Sequence, residues 1–274
     1  MGSRNRGAQL MAFDRLGDIV VHHGQSGPAE APLLVLVNSL GTDLRVWDAL
    51  LPRLGDRFRL LRYDKRGHGL SDVTPGPYAM QQLAGDLARL LDAQGERAAL
   101  ICGLSIGGMI AQALAAARPD LVRGLVLMDT AHKIGTPEMW GERIAAIRAG
   151  GIAGIADAIL VRWFSPAFHQ ERQAELAGWR NMLTRTPLEG YVACCAAIRD
   201  ADLTDAARGI AVPTLCMVGD HDGSTPPEVV AELAGLVPGA KLATIAGAGH
   251  LPCVEQPDAT AVAMSSFLAE NRLV

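Results

Sequence analysis

The sequence predicts an α/β fold with a mostly parallel central sheet, helices on both faces and an inserted helical lid. Short continuous apolar runs, the first at residues 33–37, alternate with amphipathic helical stretches, as is typical of parallel strands buried on both faces. This alternation stops between residues 133 and 210 and then resumes. With 274 residues, of which 49% are hydrophobic, the chain is long enough for one large domain with such an insertion.

The composition argues against several classes of protein. Lys and Arg total 25 against 29 Asp and Glu, which gives a net charge of −4. The apolar content is too high for a disordered chain, and without a basic excess no nucleic-acid partner is expected. No apolar run approaches the roughly 18 residues of a membrane span, so no membrane partner is expected either. The five cysteines show no C-x-x-C spacing, which argues against a zinc site and favours a reducing, cytoplasmic location.

The predicted elements divide the chain into a core with one insertion. Residues 1–12 are interpreted as a flexible leader without the character of a signal peptide. Residues 13–132 and 211–274 form the two parts of the core, and residues 133–210 form the lid. Strands are expected at residues 33–37, 58–63, 98–102, 125–128, 214–218 and 241–245. Core helices are expected near residues 83–95, 107–118 and 227–236 and from about residue 258. The lid would cover the carboxyl ends of the strands, where α/β sheets bind ligands.

The first candidate catalytic residue is Ser105 in Gly103-Leu-Ser-Ile-Gly107. This Gly-x-Ser-x-Gly pattern follows a predicted strand directly and opens a helix, which is the setting of a nucleophile elbow. Small flanking residues let the serine Oγ project above the sheet, and the helix N-terminus supplies oriented N–H groups for an oxyanion. The alternative is a glycine-rich turn with an N-capping serine.

A serine nucleophile needs a base, and His250 is the predicted one. The expected chain order is serine, acid, histidine, and His250 lies in a glycine-rich loop after the last predicted strand. Asp222 is the predicted acid that orients the imidazole, whereas Asp220 is interpreted as a turn residue and Asp129 as the alternative acid. The remaining histidines are interpreted as turn, lid or loop residues: His22, His23, His68, His132, His169 and His221.

The oxyanion hole is predicted to use two backbone N–H groups. One belongs to Ile106, the residue after the nucleophile. The other belongs to Leu40, in the loop that follows the first predicted strand. An ordinary Asn/Ser/Gly turn is the alternative interpretation of residues 38–41.

The order of these motifs resembles the α/β-hydrolase family over essentially the whole chain from about residue 13. The sequence is similar in more detail to one branch, the 3-oxoadipate enol-lactonases of the β-ketoadipate pathway for aromatic breakdown. The resemblance is carried by residues 38–42, 61–69 and 76–78 in the core and by residues 133–140, 162–164 and 189–195 in the lid. Asn38-Ser39 stands where many relatives have His-Gly, which fits this branch. The loop that ends in Gly-His-Leu-Pro-Cys253 is slightly atypical of it.

The resemblance implies an α/β-hydrolase fold and a serine esterase that opens an enol-lactone with water to give 3-oxoadipate. The sequence contains no phosphate loop, dinucleotide fingerprint or metal-ligand cluster, so no cofactor or metal is expected. The partner of such an esterase would be a small anionic lactone, and homo-oligomerisation is left open. The carboxylate of such a substrate needs a cation in an otherwise apolar pocket, and we expect Arg162 or Arg143 to supply it beside Trp140 and Trp163. Direct attack by a water molecule that the base activates, with the serine only assisting, is an open alternative to a covalent intermediate.

Three other functions are compatible with the sequence. The first is a general carboxylesterase or a carbon–carbon bond hydrolase with the same triad. The second is a cofactor-free perhydrolase or haloperoxidase, and the third is a catalytically silent ligand receptor of the same fold.

Overall fold

The computed structural model describes residues 10–274, and a single β-sheet lies at its centre. The strands are β1 (Leu10–Leu16), β2 (Ile19–Ser26), β3 (Leu33–Val37), β4 (Arg59–Tyr63), β5 (Ala99–Leu104), β6 (Val122–Met128), β7 (Thr214–Gly219) and β8 (Lys241–Ile245). In this part of the chain their order across the sheet is β1-β2-β4-β3-β5-β6-β7-β8. All pairs from β4 to β8 are parallel, and β1–β2 and β2–β4 are antiparallel. The predicted α/β fold with a mostly parallel sheet is confirmed.

Helices connect the strands and fill the long insertion. They are α1 (Leu51–Leu54), α2 (Met80–Ala93), α3 (Ile106–Ala117), α4 (Pro137–Gly150), α5 (Ala156–Trp163), α6 (Pro166–Glu171), α7 (Gln173–Thr184), α8 (Leu188–Asp200), α9 (Thr204–Arg208), α10 (Pro227–Leu236), α11 (Pro252–Glu255) and α12 (Pro257–Glu270). Short 3-10 turns span Leu44–Trp47, Pro119–Leu121 and Ile152–Gly154. No helix among the described residues is long and apolar enough to cross a membrane.

Burial explains why the central parallel strands form where the sequence predicts them. Every residue of β3 is buried between its parallel neighbours β4 and β5. Full burial of each apolar side chain contributes about 1.5–3 kcal/mol relative to an exposed position, so a continuous apolar run favours the centre of the sheet. The carboxyl ends of β3, β5, β6 and β7 lie at one edge, and the loops that leave them converge there.

The helices α4–α9 lie between β6 and β7, within the predicted lid at residues 133–210. The start of α4 shows why the chain turns helical here. The Thr136 side chain accepts a hydrogen bond from the Met139 N–H, and Pro137 occupies the first helical position, where a missing N–H is harmless. The bounds assigned to the two parts of the core and to the lid stay a prediction.

The N-terminal hairpin differs from the sequence-based expectation. Of the predicted leader at residues 1–12, residues 1–9 lie outside the described part, but residues 10–12 belong to β1, so the leader boundary at residue 12 is wrong. The strand forms because β1 pairs with β2 across a tight turn at Gly17, whose φ is 69°. The expectation that His22 and His23 lie on a surface turn is also wrong. Both are buried in β2, where they bind Asp64 and Asp14 respectively.

Candidate active site

Ser105 lies at a sharp turn between β5 and α3. Its φ of 59° and ψ of −120° are strained for a residue with a side chain. The flanking glycines make the turn sterically feasible, because a Cβ on Gly103 would lie 2.2 Å from the Gly107 carbonyl oxygen, and one on Gly107 would lie 2.1 Å from the Val37 carbonyl oxygen. The Ser105 N–H donates to the Met128 carbonyl over 2.9 Å. The strained backbone is therefore held by the neighbouring strand, as a nucleophile elbow requires.

His250 and Asp222 are brought together from two different loops. The distances from His250 Nδ1 to Asp222 Oδ1 and Oδ2 are 3.0 and 2.9 Å, and both residues are buried. Asp222 also accepts hydrogen bonds from the Ser224 N–H and from the N–H and hydroxyl of Thr225. Burial favours a higher pKa for Asp222, but the His250 ring and these donors outweigh it and hold the pKa below its usual value. An ionised Asp222 fixes the proton on Nδ1 and leaves Nε2 as the basic nitrogen.

The two alternative aspartates have different surroundings. Asp220 accepts hydrogen bonds from the N–H groups of Gly247 and Ala248, as a turn residue would. Asp129 is fully buried, and its Oδ1 accepts the Gly219 N–H over 2.9 Å. Burial and the neighbouring Asp222 carboxylate raise the pKa of Asp129 well above its usual value. Both effects favour the uncharged form of Asp129. Its second oxygen, Oδ2, is buried and has no hydrogen-bond partner among the described residues.

Three side chains at this site are of types that bind metal ions: Asp129, Asp222 and His250. Their nearest nitrogen and oxygen atoms lie within 4.8 Å of one another, and all three residues are buried. The Asp222 oxygens and His250 Nδ1 already bind each other. This contact is the arrangement expected when a carboxylate orients a histidine base.

The predicted oxyanion donors lie at the same edge of the sheet. Leu40 follows β3 and lines one cavity together with Ser39, Ser105 and His250. Ile106 is the first residue of α3. Within the described chain, the N–H groups of Leu40 and Ile106 donate to no protein acceptor, so both are available to an oxyanion.

The predicted substrate residues of the lid line this same cavity: Trp140, Arg143, Arg162 and Trp163. The guanidinium of Arg143 lies 4.7 Å from the centre of the Trp140 ring. Neither arginine has an ion-pair partner among residues 10–274. The end of α5 also contacts the catalytic loops, since the Trp163 carbonyl accepts the His250 N–H over 2.9 Å and the Arg162 carbonyl accepts the Gly223 N–H over 3.2 Å.

Sequence reasoning missed Glu255, which ties the lid to the histidine loop. Its carboxylate accepts the Ser165 N–H over 3.1 Å, the Ser165 hydroxyl over 2.6 Å and the Gly249 N–H over 2.6 Å. Ser165 is the N-cap residue of α6 in the lid, and Gly249 precedes His250. No local motif marks this role, because Ser165 is 90 positions away along the chain.

Replacing Glu255 with leucine is expected to lower the free energy of unfolding by about 2–4 kcal/mol, since buried donors on Ser165 and Gly249 lose their acceptor. Urea unfolding followed by circular dichroism measures this. The matched control is Glu270→Leu at an exposed position of α12, which should stay within about 0.5 kcal/mol of the wild type. A similarly small change for Glu255→Leu would contradict the assigned role.

Comparison with known proteins places this site in a family. A model described as the alpha/beta hydrolase family matches residues 34–263. The chain belongs to the alpha/beta hydrolase family. It is 33% identical over 244 residues to 3-oxoadipate enol-lactonase 2 of Acinetobacter baylyi, covering 88% of this chain and 90% of that protein.

Two solved structures are also similar to this alpha/beta hydrolase. The enol-lactonase from Burkholderia xenovorans LB400 superposes with a TM-score of 0.91 at 38% identity, covering 94% of this chain and 100% of that one. A thermophilic esterase from Thermogutta terrifontis, determined with malate bound, superposes with a TM-score of 0.88 at 29% identity, covering 96% and 98%. The predicted family and its similarity to enol-lactonases are confirmed.

Proposed function

We propose that this alpha/beta hydrolase opens the ring of 3-oxoadipate enol-lactone, a small lactone with a carboxylate arm, to give 3-oxoadipate in aromatic catabolism. The proposal rests on one observation: a candidate nucleophile and its base share a single cavity with two arginines. Ser105 and His250 line it together with Arg143 and Arg162, which have no ion-pair partner in the described structure. Two arginines without an ion-pair partner, in the cavity that also contains the candidate nucleophile, favour an anionic ester over a neutral one. The similarity to two enol-lactonases supports the same assignment.

The proposed reaction begins when Ser105 Oγ attacks the lactone carbonyl carbon while His250 Nε2 takes the hydroxyl proton. The N–H groups of Leu40 and Ile106 stabilise the oxyanion. The ring C–O bond then breaks, His250 returns its proton to the leaving enolate oxygen, and the resulting enol becomes the ketone. Water activated by His250 hydrolyses the Ser105 ester and releases 3-oxoadipate. Because the leaving oxygen is part of the ring, the acyl group on Ser105 contains the whole substrate.

The carboxylate arm is proposed to bind Arg143 or Arg162. Replacing each in turn with leucine is expected to raise KM for the enol-lactone by about 10–100-fold for the arginine that binds it, because a charge-assisted hydrogen bond contributes about 1.5–3 kcal/mol. KM for the uncharged p-nitrophenyl acetate should change by less than about threefold. Steady-state kinetics with both substrates measures the difference.

The control for this experiment is Arg180→Leu. Arg180 is a lid arginine on α7 whose Nε lies 2.8 Å from Asp157 Oδ1, and its side chain is 41% exposed. Its loss should leave both KM values unchanged. If KM for the enol-lactone is unchanged in both Arg143→Leu and Arg162→Leu, the proposed carboxylate site is wrong.

A general carboxylesterase is the second candidate, favoured by the similarity to the Thermogutta terrifontis esterase. It would prefer p-nitrophenyl esters to the enol-lactone. A perhydrolase would instead act on peroxide with a short carboxylic acid, and a silent receptor would not react with a fluorophosphonate probe. The cytoplasmic location, the small-molecule partner and the open oligomeric state stay predictions.

A further inference from the structure

Lys65 is a buried cation that the proposed reaction does not use. It follows β4 by two positions, and its residue surface is only 1% exposed. Its Nζ donates a hydrogen bond of 2.5 Å to the Ser39 carbonyl oxygen. Burying an ammonium group is unfavourable unless the group is well hydrogen-bonded. The burial of Lys65 beside the Ser39 carbonyl therefore needs an explanation.

The Ser39 carbonyl belongs to the same peptide group as the Leu40 N–H. A charged donor on a carbonyl oxygen draws electron density from the amide and makes its N–H a stronger donor. The Ser39 carbonyl also accepts the Thr42 N–H over 3.3 Å and the Thr42 hydroxyl over 3.0 Å. Lys65 is the charged member of this set of donors. A hydrogen-bonded chain therefore runs from the Lys65 ammonium through one peptide group to the oxyanion hole.

The segment that contains Lys65 also binds the oxyanion loop at two further points. His68 Nε2 accepts the Gly41 N–H over 2.9 Å, and Asp64 Oδ1 accepts the Leu44 N–H over 2.8 Å. Burial and the nearby Lys65 lower the pKa of His68 well below its usual value, so its ring is neutral and can accept at Nε2. Together with the Lys65 contact to Ser39, these two contacts bracket Leu40 on both sides and hold its peptide in one orientation.

We propose that Lys65 is a positioning residue that orients and polarises the Ser39–Leu40 peptide, so that the Leu40 N–H stabilises the oxyanion. This inference rests on the proposed acyl transfer to Ser105, but it does not depend on the identity of the substrate. Any ester that forms a tetrahedral oxyanion at Ser105 would depend on Lys65 in the same way.

The charged and titratable groups around Lys65 define its pH response. Burial lowers the pKa of Lys65 to about 8, although the negative charges of Asp64 and Asp43 act in the opposite direction. Cys194 stays a thiol because burial raises its pKa to about 12, and His68 stays neutral. The ammonium is therefore present at pH 7 and is lost as the pH rises through about 8. Polarisation of the Leu40 amide should weaken over the same interval.

The test is Lys65→Met, which keeps an unbranched side chain of similar length and removes its charge and donors. We expect kcat to fall by about 10–100-fold with both the enol-lactone and p-nitrophenyl acetate, while KM changes by less than about threefold, because only transition-state stabilisation is lost. The wild-type decline in kcat above pH 8 should be absent from the variant. Affinity for a trifluoromethyl ketone, which forms an oxyanion on Ser105, should fall by the same factor as kcat. The matched control, Lys241→Met on the exposed face of β8, should behave as wild type.

Lys65→Gln is the second variant, used if Lys65→Met does not fold. Its amide can donate to the Ser39 carbonyl without a charge, and a loss of about 3–10-fold in kcat is expected. The proposal is overturned if a folded variant keeps kcat within about twofold of wild type or keeps the alkaline decline. Hydrolysis of p-nitrophenyl acetate depends on the oxyanion hole but not on recognition of a lactone or a carboxylate. Failure of the enol-lactone as a substrate would therefore contradict the proposed function, while the Lys65 variants could still be tested with p-nitrophenyl acetate.

Discussion

Ser105→Ala is expected to lower kcat for the enol-lactone by about 10⁴-fold or more, because the nucleophile of a serine hydrolase has no substitute among neighbouring groups. The hydroxyl is small and forms no structural side-chain hydrogen bond within the described residues, so the fold should be unchanged. Steady-state kinetics measures the loss. A fluorophosphonate probe should label the wild type at Ser105 and leave the variant unlabelled.

The control is Ser266→Ala, at an exposed position of α12. It should retain the kinetics and the labelling of the wild type. If Ser105→Ala retained substantial activity, the covalent route would be wrong, and direct attack by a water molecule activated by His250 would replace it.

Asp222→Asn is expected to lower kcat by about 10⁴-fold, since an amide facing His250 favours the wrong tautomer of the imidazole. Asp129→Asn should lower kcat by less than about fivefold. Burial and the neighbouring Asp222 carboxylate already favour an uncharged Asp129, and an asparagine can accept the Gly219 N–H in the same place.

Comparing kcat of these two variants shows whether Asp222 or Asp129 is the acid that orients His250. Equal losses in Asp222→Asn and Asp129→Asn would contradict the expected difference and indicate that both carboxyl groups take part. A large loss in Asp129→Asn alone would make Asp129 the acid. Melting temperatures measured beside kcat exclude unfolding as the cause.

The fold and the grouping of the main candidate catalytic residues could be predicted because their evidence is local or follows chain order. Ser105 is recognisable from a strand, a glycine on each side and a helix start, all within a few positions. The choice of Asp222 over Asp220 depended on spacing, and the structure places Asp222 against His250. These features need no knowledge of distant contacts.

Features that depend on contacts between distant segments could not be predicted. Lys65 binds a carbonyl 26 positions away, and Glu255 binds Ser165 across 90 positions. The β1 strand was missed because charged residues interrupt its apolar pattern, and its evidence is its pairing with β2. The sequence could name Arg143 and Arg162 but could not choose between them, and both line the cavity.

The measurement that tests the central claim most directly is kcat/KM for a set of four substrates under identical conditions: 3-oxoadipate enol-lactone, muconolactone, butyrolactone and p-nitrophenyl acetate. We predict that kcat/KM for the enol-lactone exceeds that for the plain lactone and the plain ester by about 100-fold or more, because only the enol-lactone combines a good leaving group with a carboxylate for the cavity arginines. A preference for p-nitrophenyl acetate would contradict the enol-lactonase assignment and identify this alpha/beta hydrolase as a general carboxylesterase.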